Sequence, residues 1–563
     1  MSPRSWPEPS PEIAAAVRKI YARKEPPLAV AIRDQLPEVF PDTEFSGAFG
    51  ARGRPALSPG LLALVTVLQM AENLTDRQAA DAARKDLTWK YALGLGLADE
   101  GFDASVLSEF RTRVVEHGLE ERALDLLLAA LKEKGLVKPG GKQRTDSTHV
   151  ISAVRDMNRL ELAGESVRAV LEALAAAAPG WLATVVDVEP WSRRYAARVD
   201  SWRLPVTASK RADLAVAFGT DAVTLLEAVY RADVPGWLRE LPAVQVLRTV
   251  LVQNYQVTDT PRGREVRRRA ADEDGLPPAR VRLGSPYDTD ARWAAKGEDL
   301  FWLGYKIHLS ETCDDDDGDN RAPNLVTNVA TTDATVPDAS MTEPIHQTLA
   351  GRKLAPGEHY VDSGYPSAAL VASSLKDFGT VLISPLLGDC SPQARAGAGY
   401  DRAAFAIDFE QQNAVCPQGR TSSSWSPCTQ RGTDAVVIKF AKTTCQPCPA
   451  RGRCTTSKAG YRQLTVLPRQ LHELQHTARL AQATRDWQHE YRRRAGVEGT
   501  IRQAVAVTGT RRARYRGLAR THLEHVYSAV ALNLIRLHAW WNGHPMDRTR
   551  TSHLARLELA LAA

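Results

Sequence analysis

The sequence has no long apolar run, little cysteine and only a small excess of positive charge. Apolar stretches such as residues 61–68 and 526–533 are too short and too interrupted to cross a bilayer. The first residues also lack the apolar centre of a secretory signal peptide. We therefore expect a cytoplasmic protein that has no membrane partner.

The length and composition are typical of a globular chain with more than one core. The sequence has 563 residues, of which 44% are hydrophobic and 25% are charged. Such a chain is expected to contain about two to four domains. The net charge is only +6, so composition alone does not indicate a nucleic-acid partner.

Residues 1–140 are predicted to form an all-helical N-terminal domain. Ser58 followed by Pro59 is a typical helix start, and Thr75 with Gln78 has the spacing of a capping box. Two short helices joined tightly are typical of DNA-reading pairs and also of packed bundles. This domain is therefore predicted to bind DNA ends or to mediate dimerisation.

The rest of the chain is predicted to alternate between sheet segments and insertions. Strands are expected at residues 143–150, 301–309, 325–330, 359–362 and 380–384, with an acidic hairpin tip at 313–320. Residues 155–275 are rich in Ala, Leu and Arg and predict a helical insertion without catalytic residues. Residues 396–480 form a second, Cys-rich insertion, and a last amphipathic helix is expected over 518–541.

One predicted helical face near the C-terminal end carries charged and aromatic side chains. Five residues spaced by three or four positions share this face: Trp487, Tyr491, Arg494, Glu498 and Arg502. The segment around them is strongly basic and contains these arginines: Arg492, Arg493, Arg494, Arg502, Arg511, Arg512, Arg514, Arg516 and Arg520. Basic runs are often only solvated surfaces, but a run around a carboxylate favours contact with phosphate.

Two upstream strand segments each supply one aspartate. Asp146 lies on the predicted strand 143–150 and Asp362 ends the predicted strand 359–362; in isolation, an aspartate after an apolar segment usually marks only the surface end of a strand. Together with Glu498 they supply hard oxygen ligands of the kind that Mg²⁺ or Mn²⁺ prefers. Two such ions about 3.5–4 Å apart can promote in-line displacement at a phosphodiester. The joint pattern therefore indicates a metal-dependent enzyme acting on DNA.

The segment Tyr491-Arg-Arg-Arg-Ala-Gly-Val-Glu498 places a tyrosine, an arginine and a glutamate at fixed spacing. Supporting segments begin at Leu57, Asp146, Asp288, Gly304, Val361 and Gly499. Taken together, these motifs resemble bacterial insertion-sequence DDE transposases of the IS-four-like superfamily, and most closely the insertion sequence eleven-eighty-two type. The likeness covers residues 50–540, except for most of the helical insertion.

The resemblance implies an α/β fold with a mixed-sheet, ribonuclease-H-like catalytic core. It makes Asp146, Asp362 and Glu498 the catalytic residues and the ligands of two Mg²⁺ (or Mn²⁺) ions. It also implies that Tyr491 and Arg494 contact DNA near the end of the element. The long separation of the two aspartates in the chain is explained by the helical insertion.

One position departs from the superfamily signature. The signature often adds a lysine seven residues after the glutamate, and here that position is Val505. Arg502, or the pair Arg511 and Arg512, is expected to supply the missing phosphate contact. Lys306 and His308 also lie near the expected site, on the second strand. They are predicted either to touch phosphate or to face solvent at a sheet edge.

The implied reaction is hydrolysis of DNA at the ends of an insertion sequence, followed by attack of the freed 3′-hydroxyl on target DNA. The implied partners are double-stranded DNA, as terminal inverted repeats and as target, and a second copy in a homodimer on paired ends. The expected location is the cytoplasm, in association with the nucleoid. Two alternatives stay open: a nuclease of the same core without strand transfer, and a catalytically inactive DNA-binding protein.

The seven cysteines are an odd number, and five of them fall between residues 416 and 454. A cytosolic location argues against a disulfide framework. Four have the spacing of an incomplete zinc ribbon: Cys416, Cys445, Cys448 and Cys454. The alternatives are a structural Zn²⁺ or reduced cysteines that pack. Either way, the insertion is predicted to stabilise a DNA-facing flap and not to take part in catalysis.

The predicted layout thus has five parts. They are a helical N-terminal domain at 1–140, a catalytic core at 141–395 plus 481–545, a helical insertion at 155–275, a Cys-rich insertion at 396–480 and a C-terminal tail at 546–563.

Overall fold

The computed structural model describes residues 5–49, 57–261, 263–314, 322–430 and 432–544. The predicted tail at 546–563 and most of the predicted acidic hairpin tip lie outside these residues. The expected α/β class is confirmed, because a mixed sheet is surrounded by many helices. Among the helices of the described residues, none combines the length and the apolar character of a membrane span.

The N-terminal part is helical, as predicted. Its helices are α1 (Pro11–Ile20), α2 (Leu28–Gln35), α3 (Pro59–Ala71), α4 (Asp76–Lys85), α5 (Leu87–Leu93), α6 (Ser105–Glu116) and α7 (Arg122–Glu133). Both predicted helix starts are confirmed: the Ser58 side chain accepts a hydrogen bond from the Leu61 N–H, and Thr75 and Gln78 form a capping box. Helix α3 is apolar on almost every face and lies in the centre of this part.

After strand β1 (Lys142–Ile151) the chain forms a second apolar cluster. Its elements are α8 (Arg159–Ala177), α9 (Pro179–Val185), α10 (Val188–Tyr195), α11 (Ala208–Val229), α12 (Pro242–Asn254), β2 (Tyr255–Thr260) and β3 (Gly263–Arg268). The short helix α13 (Ala271–Asp274) follows and buries none of its residues. The predicted helical insertion is mainly helical, but its expected last helix ends at Asn254 instead of Val257, and β2 and β3 then form an antiparallel hairpin. The β-branched Val257 and Thr258 and a turn ending at Gly263 favour a hairpin over continued helix.

The chain then returns to the main sheet. It forms β4 (Arg292–Lys296), β5 (Leu300–Thr312), β6 (Val326–Asp333), α14 (Thr342–Gly351), β7 (Glu358–Tyr360), α15 (Ala368–Phe378) and β8 (Val381–Ile383). The order in the sheet is β4-β5-β1-β7-β8, and β6 also pairs with β5. Strand β1 is antiparallel to β5 and parallel to β7, which is parallel to β8. This arrangement is compatible with a ribonuclease-H-like core.

The Cys-rich segment folds around a small sheet of its own. It contains α16 (Pro392–Ala396), β9 (Ala406–Asp408), β10 (Asn413–Val415), β11 (Ser424–Gln430), β12 (Thr433–Lys439), α17 (Lys442–Cys445), α18 (Arg451–Cys454) and β13 (Gln463–Val466). Strands β11, β12 and β13 form an antiparallel sheet in that order. A separate apolar cluster lies against it.

The last helices are α19 (Arg469–Gln482), α20 (Arg485–Tyr491), α21 (Gly496–Thr508) and α22 (Leu518–Trp541). The predicted basic helix is not continuous, because a 3₁₀ turn separates α20 from α21. Here Arg144 of β1 donates a hydrogen bond to the Arg493 carbonyl at 2.6 Å. Its guanidinium also lies against Gly496, where a Cβ atom would come within 2.0 Å of Nη1. The turn thus fixes the start of α21 to the central strand.

Helix α22 has the predicted bounds but is not amphipathic. Its residues are buried on almost all sides, because it packs between β6 and the N-terminal helices α3 and α7. One apolar cluster therefore joins the N-terminal helices, the sheet and α22, and includes Leu68, Leu128, Tyr305 and Leu532. The main sheet is buttressed along this side by tightly packed side chains.

Candidate active site

A pocket of about 670 Å³ lies against β1, β5 and α21. Its wall brings together three carboxylates that are far apart in the sequence: Asp146, Asp362 and Glu498. Pockets of about 300–1,000 Å³ are typical of ligand sites. This one is lined largely by polar and charged side chains, which suits a charged ligand.

Each carboxylate comes from a different element. Asp146 lies in β1, where the Ser147 N–H donates to its Oδ1 at 2.8 Å. Asp362 lies just beyond β7, and the Ser384 hydroxyl donates to its carbonyl at 2.8 Å. Glu498 lies in the first turn of α21. Two of the carboxylates thus lie on sheet segments and the third lies on a helix.

Gly364 lies close to the side chains of two acidic residues, Asp362 and Asp338. Its N–H donates to Asp362 Oδ1 at 2.8 Å. A Cβ atom added to Gly364 would lie 3.0 Å from Asp362 Oδ1 and 3.4 Å from Asp338 Oδ2. The absent side chain therefore leaves room for these two carboxylates on the same side of the pocket.

The guanidinium of Arg494 lies between two of the three carboxylates. Its Nη2 donates to Asp146 Oδ2 at 2.7 Å, and its Nη1 donates to Glu498 Oε1 at 2.8 Å. Its Nε is buried and has no hydrogen-bond partner among the described residues. Arg494 thus supplies positive charge at the position where the carboxylates converge.

Asp146 is in an environment that disfavours its charged form. Burial raises the pKa of Asp146, and the negative charges of Asp362 and Glu498 act in the same direction. The Arg494 guanidinium and the Ser147 N–H oppose this rise. A carboxylate in such surroundings is stabilised by a nearby cation.

The predicted DNA-binding residues divide into two groups. Arg494, Arg502 and Arg511 line the pocket, and Arg511 Nε donates to the Thr148 hydroxyl at 3.3 Å. Tyr491 and Arg512 do not line it. The Tyr491 hydroxyl instead donates to the Val361 carbonyl at 3.1 Å. The Tyr491 ring is also stacked on Trp487 with centroids 4.8 Å apart, so it anchors α20 beside the strand that leads to Asp362.

The predictions for His308 are wrong on both alternatives. Its side chain is fully buried, and its Nδ1 is hydrogen-bonded to the Tyr365 hydroxyl at 2.6 Å. Burial lowers the pKa of His308 to about 4. Strand β5 is also an inner strand, with β1 on one side and β4 and β6 on the other. Lys306 does line the pocket, where its ammonium group lies 3.0 Å from Asp338 Oδ1.

Several pocket residues were not predicted from the sequence. They are Asp338, His149, Lys296 and Trp302. Asp338 is the most notable, because it is a fourth carboxylate that also accepts a hydrogen bond from the Ser147 hydroxyl at 3.1 Å. Asp338 begins a 3₁₀ turn, Asp338–Met341, after β6, and it has no recognisable spacing from the other carboxylates in the sequence. Lys296 can be placed in the pocket only when the pairing of β4 with β5 is known.

The donor set fits a divalent cation in its chemistry, because carboxylate oxygens are the preferred ligands of Mg²⁺ and Mn²⁺. In the present side-chain positions, no group of three or more His, Cys, Asp or Glu residues within the described ranges is arranged to hold a metal ion. At Asp146 and Glu498 the reason is visible: both carboxylates are paired with Arg494.

The four predicted zinc ligands line a second, much smaller cavity. Cys416, Cys445, Cys448 and Cys454 all face a space of about 30 Å³ in the Cys-rich segment. Each of the four is an unpaired thiol, and three of them, Cys416, Cys445 and Cys454, contact the local apolar cluster.

Two parts of the chain match known families. Residues 415–538 match the family model described as Transposase DDE domain, and residues 22–113 match the one described as Transposase domain (DUF772). No curated protein and no solved structure matches the chain. The first match contains Glu498, Arg494 and Arg502, whereas Asp146 and Asp362 lie outside both.

These two matches support a DDE transposase, in agreement with the resemblance drawn from the motifs. A Transposase DDE domain implies an enzyme that acts on DNA.

Proposed function

We propose that the protein is the DDE transposase of an insertion sequence, of the IS-four-like superfamily and the eleven-eighty-two type. It cleaves DNA at the terminal inverted repeats and joins the 3′-hydroxyl ends to target DNA. The observation that carries this proposal is the convergence of Asp146, Asp362 and Glu498, from three separate elements, in one pocket with a basic rim.

In this proposal the three carboxylates hold two Mg²⁺ or Mn²⁺ ions. Such ions activate the attacking oxygen and stabilise the leaving oxygen of a phosphodiester. Asp146 on β1 and Asp362 after β7 supply ligands from the sheet, and Glu498 supplies one from the opposite wall. Asp338 holds the Lys306 ammonium group at 3.0 Å, and so positions a cation beside the site.

Arg494 has two roles in this proposal. Without DNA, it neutralises Asp146 and Glu498 through its two ion pairs. With DNA bound, a phosphate competes for the same guanidinium, because arginine binds phosphate and carboxylate in similar bidentate geometry. Transfer of Arg494 to phosphate frees both carboxylates to bind metal.

The basic rim supplies the other phosphate contacts. Lys296, Arg502 and Arg511 line the mouth of the pocket, and Arg512 extends the contact beyond it. Tyr491 lies near the DNA end and keeps α20 in place. The surrounding parts follow the predicted layout, with the N-terminal helices binding DNA ends or forming a homodimer on paired ends. The protein acts in the cytoplasm, at the nucleoid.

The test is cleavage of DNA that carries the flanking element ends, in Mg²⁺, by the wild type, Glu498→Gln and Glu473→Gln. Glu473 is an exposed glutamate on α19 outside the pocket, so it is a matched control. We expect cleavage at the element end by the wild type and by Glu473→Gln only. Joining of the cut ends to a plasmid target then distinguishes a transposase from a nuclease.

Other outcomes reject parts of the proposal. Equal cleavage by Glu498→Gln and the wild type would remove Glu498 from the site. Cleavage without any strand transfer would favour the nuclease. Binding of the ends without cleavage by any of the three proteins would favour an inactive DNA-binding protein.

A further inference from the structure

The Cys-rich segment has little apolar core. Within its described residues, the buried apolar side chains of its cluster are Phe405, Ala414, Val436, Ile438, Phe440, Leu464 and Val466. Small units with so few buried side chains are generally stabilised by disulfides or by a structural metal. No disulfide is present, because all the cysteines, which lie in described residues, are unpaired.

Four of these thiols come from separate turns and face one space. Cys416 follows β10, Cys445 ends α17, Cys448 lies in the next turn and Cys454 ends α18. All four line the cavity of about 30 Å³, a size that admits one ion or one or two water molecules.

We infer that Cys416, Cys445, Cys448 and Cys454 bind one structural Zn²⁺ ion. Four cysteine sulfurs at about 2.3 Å in a tetrahedron form a common structural zinc site. The thiols do not stand in that arrangement now, so binding requires side-chain rotations that bring the sulfur atoms into the cavity. Hydrogen-bonded turns hold the backbone from which these side chains would rotate: the Cys448 N–H donates to the Cys445 carbonyl, and the Gly419 N–H donates to the Cys416 carbonyl.

The charges around the cavity favour this ion. Zn²⁺ with four thiolates carries a net charge of −2, and three arginines line the same cavity: Arg420, Arg451 and Arg462. Arg462 donates to the Cys454 carbonyl at 3.0 Å. Its Nε is buried and has no hydrogen-bond partner among the described residues. This N–H is available to donate to a thiolate, since charge-assisted hydrogen bonds are the stronger kind.

The chain contains matched controls for the four cysteines. Cys428 lies on β11 of the same segment, and Cys390 is exposed just before α16; neither lines the cavity. Their replacement by serine removes a thiol without touching the proposed site. Loss of metal from every cysteine variant alike would therefore reveal a non-specific effect.

The test is the zinc content of the purified full-length protein, measured by inductively coupled plasma mass spectrometry. We expect about one zinc per chain for the wild type, Cys428→Ser and Cys390→Ser, and a loss of most of it for Cys448→Ser and Cys454→Ser. In addition, Co²⁺ added to the metal-stripped wild type should produce the absorption bands of tetrahedral thiolate coordination. This second readout needs no variant to fold.

The inference is overturned if the wild type neither contains zinc nor gives those cobalt bands. It is also overturned if Cys448→Ser and Cys454→Ser retain zinc at the wild-type level. Neither readout depends on DNA cleavage, so failure of the zinc site and failure of the proposed transposase activity are distinguishable.

Discussion

The guanidinium of Arg494 donates to the carboxylate of Asp146 at 2.7 Å, across 348 residues of chain. The same guanidinium is paired with Glu498, one helical turn further on. Two of the three carboxylates predicted to be catalytic are thus held by one arginine. This relationship links the 3₁₀ turn before α21 directly to β1, the central strand of the sheet.

Replacing Arg494 is expected to strengthen metal binding and to weaken DNA cleavage. In Arg494→Gln, Asp146 and Glu498 lose their positive partner, and their mutual repulsion favours a divalent cation. We expect Mn²⁺ to bind roughly fivefold to tenfold more tightly without DNA, which corresponds to about 1–1.4 kcal/mol. DNA cleavage should fall, because the phosphate contact is lost. Isothermal titration calorimetry with Mn²⁺ measures the first effect.

Arg502→Gln is the matched control for that experiment. Arg502 lines the same pocket but forms no ion pair with a carboxylate among the described residues. Its replacement should leave Mn²⁺ affinity unchanged. If both variants bind Mn²⁺ as the wild type does, Arg494 does not compete with metal.

The basic rim predicts a particular salt dependence of DNA binding. Each arginine that contacts a phosphate adds about one unit to the slope of log K against log salt concentration. We expect Arg502→Ala to reduce that slope by about one, whatever the DNA sequence. Arg485→Ala, at an exposed arginine of α20 outside the pocket, should leave it unchanged. Equal slopes for the wild type and Arg502→Ala would contradict a phosphate contact.

The titration of Glu524 is expected to make the free energy of unfolding depend on pH, independently of the active site. It is fully buried in α22, and burial raises the pKa of Glu524 to about 7, although the Arg514 N–H donates to it at 2.8 Å. A raised carboxyl pKa contributes stability that is present below about pH 4.5 and is lost as pH rises through about 7. The expected loss is on the order of 3 kcal/mol.

Glu524→Gln removes this titration while keeping an acceptor for the Arg514 N–H. The unfolding free energy of the variant, relative to the wild type, should therefore increase between pH 5.5 and pH 8.5 in urea denaturation. Burial lowers the pKa of His525 to about 3. Buried histidines such as this one contribute equally to the pH dependence of both proteins, so their contribution cancels in the difference between the two unfolding free energies. Parallel pH profiles would show that Glu524 does not titrate in this range.

Features that depend on near neighbours in sequence were predictable. The caps at Ser58 and Thr75 need only residues within three positions, and the pairing of β5 with β6 follows from two adjacent β-like stretches. The convergence of Asp146 with Glu498 depends on distant contacts. It was expected because several motifs together resemble one superfamily, and not because any local pattern requires it.

Features that depend on tertiary packing were missed. Lys306 and His308 are two positions apart in β5, so their side chains lie on the same face of the strand. Tyr365 nevertheless covers only His308 and buries it. The entry of Asp338 into the pocket depends on how the 3₁₀ turn after β6 packs beside Gly364. The break between α20 and α21 follows from the contact of Arg144 with the Arg493 carbonyl. No spacing in the sequence encodes these contacts.

The most direct test of the account is metal rescue of Asp146→Cys on DNA that carries the element ends. A thiolate is a poor ligand for hard Mg²⁺ and a better one for softer ions. We predict that Asp146→Cys loses cleavage in Mg²⁺ and regains part of it in Mn²⁺, whereas Asp486→Cys, outside the pocket on α20, cleaves in both. Undiminished cleavage in Mg²⁺ by a folded Asp146→Cys would contradict a metal-binding role for this carboxylate.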